Sequence, residues 1–282
     1  MKNKKLILKK RSIYTLLLLL SFLMMACMEK SNPIVFSAIG DVPYTGKQEK
    51  ALKSTLKKHN KDSDASFLIH LGDIKSGSKP CKKEVYEDVA KILKKSDKPV
   101  YIIPGDNEYN DCDHPKKAFK HWKKNFLKFN LHWRTDWETT YQPEQQENFT
   151  WIEQEVLFVG LNIVGGKVHS KKEWKKRLTS NADWLESLLE QNKSKGLKAL
   201  VIFGHANMSI HPENFEEFTT KFRKLAAQFE KPILYLHGDG HEWKKDRPWK
   251  EKNILRVQVD AGARILEVRI NTQAKHPFSF LR

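Results

Sequence analysis

The sequence predicts an α/β protein with mixed β-sheets, on three observations. Short apolar runs bounded by turn residues alternate with amphipathic helical stretches, the pattern of parallel β-α-β units. Two further segments alternate polar and apolar residues around short turns, as antiparallel hairpins do. The chain has 282 residues, 39% hydrophobic and 11% aromatic, enough to bury a sizeable core. That composition excludes a disordered tail, while 13 Gly, three Cys and the lack of sustained heptads exclude collagen-like, disulfide-dense and coiled-coil scaffolds.

The first thirty residues stand outside this pattern. Lys2, Lys4, Lys5, Lys9, Lys10 and Arg11 are positive with no acid among residues 1–26, and residues 13–25 are almost unbroken apolar chain. A spanning helix needs about 20 such residues, whereas a signal-peptide core is shorter. The stretch closes on Leu23-Met24-Met25-Ala26-Cys27, with a small residue directly before a cysteine. This resembles the lipobox of bacterial lipoproteins. The resemblance implies a signal peptide over 1–26, lipidation of Cys27, and an exported domain over 27–282 tethered in the cell envelope, periplasmic or on the outer surface. An uncleaved anchor is the alternative. Of the formal charge of +17, six units then belong to the signal and say nothing about partners.

Beyond Cys27 no repeat or linker divides the chain, so one domain is expected. Residues 33–40, 66–72, 99–103, 199–204 and 232–237 read as short buried strands, and helical periodicity falls at 47–59, 83–95 and 213–229. The alternating segments expected to form hairpins are 148–163 and 253–270. Within the latter, 256–259 and 268–270 are expected as edge strands. Between Lys116 and Trp151, the aromatics Phe119, Trp122, Phe126, Phe129, Trp133, Trp137 and Trp151 are interleaved with lysines. An amphipathic helix that packs its aromatics on the core is favoured there over a nucleic-acid surface.

Ligands of parallel α/β sheets bind beyond the carboxyl ends of the strands, where loops converge. Those ends share one composition. They read Ile39-Gly40-Asp41, Leu71-Gly72-Asp73, Pro104-Gly105-Asp106-Asn107-Glu108, Phe203-Gly204-His205 and His237-Gly238-Asp239-Gly240-His241. Glycine permits close backbone approach, and Asp and neutral His are oxygen and nitrogen ligands of divalent metals. A lone Gly-Asp is a common turn. Five such ends in order point to a pair of ions roughly 3.5–4 Å apart, suited to in-line displacement at phosphorus.

This ordered set resembles the calcineurin-like metallophosphoesterase superfamily, from Val35 to about Ile270. Its blocks are Asp-x-His, Gly-Asp, Gly-Asn-His-Asp/Glu, Gly-His and Gly-His-x-His. The resemblance implies a four-layer αββα sandwich of two mixed β-sheets flanked by helices. It implies two divalent ions (Mn, Fe or Zn), with Asp41 and His241 on the first, His205 on the second and Asp73 bridging both.

Three positions depart from the blocks. Pro43 stands where the first block has His, leaving water or Tyr44 to fill the place. Asp106 stands at the Asn that binds the second metal, and Asn107 at the acid-base His. Asp239 stands where a ligand His is usual. Two neutral ligands thus become carboxylates, which favours harder cations. Asn107 can orient a phosphoryl group but has no proton to give, so His237, His211 and His114 are the candidate replacement acids. A phosphoanhydride or phenolic ester would need no strong acid. Cys81 lies eight residues after Asp73 and Cys112 six after Asp106, so in an exported protein a Cys81–Cys112 disulfide is expected to staple those two loops.

The leading reading is an exported, lipid-anchored phosphoesterase that uses a metal-activated hydroxide on a phosphorylated small molecule or polymer. The competing one is a catalytically decayed envelope protein whose basic surface holds polyanions or nucleic acid. Nucleic acid is not favoured, because Lys-rich solvated faces are common. A positive surface around an acidic cluster draws any phosphorylated anion inward.

Overall fold

The protein is described by a computed structural model covering residues 32–282; the expected signal segment and Cys27 lie outside the described residues. In chain order the elements begin β1 (Ile34–Ile39), α1 (Gly46–Asp62), β2 (Leu68–His70), α2 (Lys83–Leu93), β3 (Val100–Ile102) and α3 (Pro115–Phe126). They continue with β4 (Thr140–Tyr141), β5 (Phe149–Glu153), β6 (Val156–Gly160), α4 (Lys171–Gln191), β7 (Ala199–Phe203) and α5 (Glu216–Phe229). The chain ends in β8 (Ile233–His237), β9 (Lys244–Asp246), β10 (Ile254–Gln258), β11 (Leu266–Ile270) and β12 (Phe278–Leu281).

Two mixed sheets result, of five strands in the order β12-β11-β1-β2-β3 and of seven in the order β4-β5-β6-β7-β8-β10-β9. Side-chain alternation sets the layers. In β1, Ile34, Phe36 and Ala38 point into a core shared with Trp151, Phe158, Val201 and Leu236 of the other sheet, whereas Ile39 points outward. Phe67 stacks on Phe36 with ring centroids 4.9 Å apart and meets Trp151 edge-on at 5.0 Å, so aromatic contacts join the sheets directly. The outer face of the five-stranded sheet is covered by Leu52 and Leu56 of α1, Tyr86 and Leu93 of α2, and Trp122 and Phe126 of α3. That of the seven-stranded sheet is covered by Trp174, Leu178 and Leu185 of α4 with Phe218 and Phe222 of α5. Helices, sheet, sheet and helices make the four layers expected.

Helix α4 went unanticipated, although its signals are local. Ser170 accepts the amide of Glu173 at 3.3 Å, closing the first turn, and Trp174, Leu178, Ala182 and Leu185 recur on one buried stripe. The hairpin expected over 148–163 is present as antiparallel β5 and β6. That expected over 253–270 is not. β10 lies inside the seven-stranded sheet, parallel to β8 and antiparallel to β9, while β11 crosses to the other sheet and pairs with β1 and β12. Neither is an edge strand. β10 is buried along its whole length, so its partners, and not its alternation, decided its place.

The Lys116–Trp151 aromatics pack on the core, Phe119, Trp133 and Trp137 from half-buried positions and the other four from the interior. Trp122, Phe126, Phe129 and Trp151 are no more than 2% exposed. The indoles of Trp133 and Trp137 donate to Ser96 O and the Tyr101 hydroxyl, both at 2.8 Å, and Lys123 lies over the Phe119 ring at 4.5 Å.

Candidate metal centre

The carboxyl ends of β1, β2, β3, β7 and β8 converge at one rim, and the backbone there is bent in a particular way. Asp41, Asp73, Asp239 and His241 have φ of 55°, 60°, 69° and 61°. This left-handed region costs an L residue roughly 1–2 kcal/mol, and four expected ligands adopting it is a concentration of strain at one site. The loops also abut closely. A Cβ on Gly72 would stand 2.6 Å from Gly105 N, so only glycine lets the second and third loops touch.

The side chains meet in two groups. Donor atoms of Asp41, Asp73 and His205 lie within 4.8 Å of one another, as do those of Asp106, His205 and Asp239. Asp73 faces both ways. Its Oδ1 lies 3.3 Å from His205 Nε2 and accepts the Asn107 amide at 3.0 Å, and its Oδ2 accepts the Tyr44 hydroxyl at 2.9 Å and the Asn107 side-chain amide. Asp41 Oδ1 accepts the Asp239 amide at 3.1 Å, which ties the rims of the two sheets together. The half-exposed His241 places Nε2 3.5 Å from Asp41 Oδ1 and 3.1 Å from the Tyr44 oxygen. Asp106 and Asp239, the two carboxylates in place of neutral ligands, both face the cluster.

These residues fit divalent cations. Asp41 Oδ2 and His205 Nε2 are buried and have no hydrogen-bond partner, a costly arrangement that a cation relieves. His205 Nδ1 donates to Leu71 O at 2.7 Å, which fixes the tautomer and leaves Nε2 as the ligand atom. The electrostatics point the same way. Burial raises the carboxyls of Asp41 and Asp73 above the usual range. For His205 burial works in the opposite direction but is outweighed by Asp73 and Asp106, so its imidazole is pushed well up. For Asp106 burial is likewise outweighed, chiefly by His205, and its carboxyl is drawn down. The cluster demands positive charge.

Several bracing groups were not anticipated. Glu108 is fully buried, and its carboxylate accepts the backbone amides of Gly105 at 2.7 Å, Asp73 at 3.1 Å and Ile74 at 3.2 Å. The buried Lys75 donates to Asn107 O and to Ser76 O at 2.9 Å. On the other rim, Asn207 N donates to Asp239 Oδ2 at 3.3 Å. Asn207 is itself held by Arg256, a buried guanidinium that also bonds Ser209 Oγ and pairs with Asp246. Glu108 could have been found from its place in the Gly105–Glu108 run; nothing in the sequence marked Arg256. The Cys81–Cys112 disulfide is present, with Cα atoms 6.0 Å apart, and joins the loops after β2 and β3 as expected.

The expected acids are placed elsewhere. His237 is completely buried, stacked on Tyr235, with Nδ1 donating to Gly238 O at 2.8 Å. Burial pulls its imidazole down to about 3, so it is neutral and has no proton to give near neutral pH. That corrects the catalytic role expected of it. His211 is 73% exposed and faces Glu213, and His114 is an exposed residue at the start of α3. Asn107 does reach the cluster, through Asp73.

A family model described as calcineurin-like phosphoesterase matches residues 34–243. No curated protein matches the sequence significantly. Among solved structures, the fold is similar to a dimetal phosphatase from Danio rerio at 12% identity and a TM-score of 0.52, over 89% of this chain and 92% of that one. It is also similar to GAP50, described as the anchor in the inner membrane complex of Plasmodium, at 12% identity and a TM-score of 0.54, over 89% of each chain.

Proposed function

The chain belongs to the calcineurin-like phosphoesterase family, and we propose that it hydrolyses a phosphate ester or anhydride at two divalent cations held between its sheet rims. The observation that carries this is the pair of three-donor groups sharing His205. Asp41 and His241 hold the first cation, Asp106, His205 and Asp239 the second, and Asp73 reaches both. Bound cations supply Lewis-acid polarisation of the phosphoryl group and activation of water.

The protein's own part is positioning. His205 is locked by Leu71 O, and Asn107 is anchored on Asp73 beside the cluster, where its amide can orient a phosphoryl oxygen. With Asn107 in the acid position and His237 sealed in the interior, the substrate we propose has a leaving group that departs without a strong acid, such as a phosphoanhydride or a phenolic ester. The carboxylates of Asp106 and Asp239 favour harder ions, which makes Mn the first to try ahead of Fe and Zn. The basic surface draws in a phosphorylated small molecule or polymer. Trp122, Phe126, Phe129 and Trp151 are buried, and the Trp133 and Trp137 indoles are tied to Ser96 O and the Tyr101 hydroxyl, which disfavours the stacking surface on which the polyanion-binding alternative relied.

From the basic leader and the lipobox-like Leu23–Cys27 run, we further propose export and lipid anchoring at Cys27 in the cell envelope. Aryl phosphate mono- and diesters, assayed with Mn²⁺, Fe²⁺ or Zn²⁺, test the activity. Turnover that needs a cation and falls at least about a hundredfold in Asp73→Asn is expected; no turnover with any of the three defeats the proposal.

A further inference from the structure

We propose that the Tyr44 phenol oxygen is a protein ligand of the first cation, in the place left by Pro43. The inference rests on the two-cation reading above. The phenol oxygen lies 2.9 Å from Asp73 Oδ2, 3.3 Å from Asp41 Oδ1 and 3.1 Å from His241 Nε2. These are donor atoms of the three residues assigned to the first cation, and His241 Nε2 is in turn 3.5 Å from Asp41 Oδ1. Ligands about 2.1 Å from a common octahedral centre stand about 3 Å from one another. The separations around Tyr44 are those of neighbouring corners of one coordination shell.

Proton counting supports the same assignment. A phenol has one proton and can satisfy one acceptor fully. Here its oxygen faces two carboxylate oxygens, and the Asn107 amide donates to it as well at 3.4 Å. As a hydrogen-bond donor alone, Tyr44 would turn a lone pair toward one of the carboxylates in a half-buried site. A cation between the four donor atoms removes that conflict. On binding, the phenol O–H bond breaks, the oxygen lone pair forms the bond to the cation, and the proton leaves to solvent.

The local chain holds the ring in place. Thr45 caps α1 by accepting the Gln48 amide at 3.2 Å, and Tyr44 N donates back to the Gln48 side chain at 2.5 Å, so the residue is anchored to a helix start. The ring then meets the His241 imidazole edge-on at 5.5 Å.

The test is to load the purified chain with ferric iron and record its visible spectrum beside its iron content. A phenolate ligand gives a charge-transfer band that carboxylates and imidazoles do not. The expected result is a band in the wild type that is lost in Tyr44→Phe at equal iron content. An iron-loaded wild type with no band, or a Tyr44→Phe protein that keeps it, overturns the assignment and leaves the two-cation reading standing. A wild type that binds neither iron, manganese nor zinc overturns both. Should Tyr44→Phe fail to fold, the wild-type spectrum decides, with resonance Raman excitation in the band identifying tyrosinate vibrations or their absence.

Discussion

The rims of the two sheets meet at one centre and are braced by groups of opposite charge. The five-stranded rim supplies Asp41, Asp73 and Asp106, and its loops are gathered by another acid, Glu108, helped by Lys75 and a disulfide. The seven-stranded rim supplies His205, Asp239 and His241, and its loop is gathered by a buried cation, Arg256. An acid that ties backbone amides together adds to the negative charge it surrounds. The first rim therefore gathers more negative charge than Lys75 alone offsets and leans on the disulfide as well, while the brace of the second, Arg256, brings its own partner in Asp246. Cation removal should loosen the first rim more than the second, with faster amide exchange at residues 73–77 and 105–112 than at 205–209 as the reading.

The largest stability effect that separates the rims is expected from the disulfide. The bridged residues are 31 apart in sequence, and opening a loop of that size costs about 4 kcal/mol in the chain-entropy account. In a domain of this size that lowers Tm by roughly 8–16 °C. Calorimetry of Cys81→Ser with Cys112→Ser should show it, and an unchanged Tm would place the strength of the first rim elsewhere. On the second rim, Arg256→Met removes one partner of a buried pair, at a cost of about 3 kcal/mol. Asp246 is 34% exposed, which keeps the cost at the low end of that class. Denaturant midpoints should recover in Arg256→Met with Asp246→Leu, because the uncompensated charge is then gone.

The contrast also explains what could be read in the sequence. The Gly-Asp and Gly-His strand ends were legible because strand period, turn chemistry and ligand type all coincide within a few residues. The pairing of Cys81 with Cys112 followed from the two loops so located. Arg256 was invisible, since its partners Asn207, Ser209 and Asp246 belong to other segments and β10 gives no sign of which strands flank it. The same ignorance of partners turned 253–270 into a hairpin when its strands enter different sheets. His237 misled for the complementary reason. A histidine at a strand end beside ligands looks reactive, and only the packing of Tyr235 against it shows that it faces inward.

A smaller effect probes the acid brace itself. Glu108→Gln keeps the size of the side chain but sets an amide nitrogen against one of the backbone N–H groups that the carboxylate accepts. A loss of about 2 kcal/mol is expected for hydrogen bonds to a charged acceptor. Because Asp73 N is one of the donors, the variant should also bind cations more weakly, in contrast to a surface change such as Glu190→Gln. Titration calorimetry with Mn²⁺ separates the two outcomes; equal affinity in Glu108→Gln and wild type would show that the brace serves stability alone.

The smallest expected effect removes a background from this comparison. Glu153 lies at the β5–β6 turn, and burial, with a lesser push from Asp136, raises its carboxyl to about 7. A carboxyl raised in the folded state stabilises fully below its unfolded value near 4.5, and that contribution is lost as pH rises through about 7. Between these limits the wild type should lose stability with rising pH independently of the centre, and only modestly because the group is partly exposed to water. Glu153→Gln cannot ionise, so its unfolding midpoint should fall less over the same interval. If the two proteins lose stability in parallel, Glu153 has no part in it and the pH dependence belongs to the Asp41, Asp73 and Glu108 carboxyls of the first rim, which burial also raises.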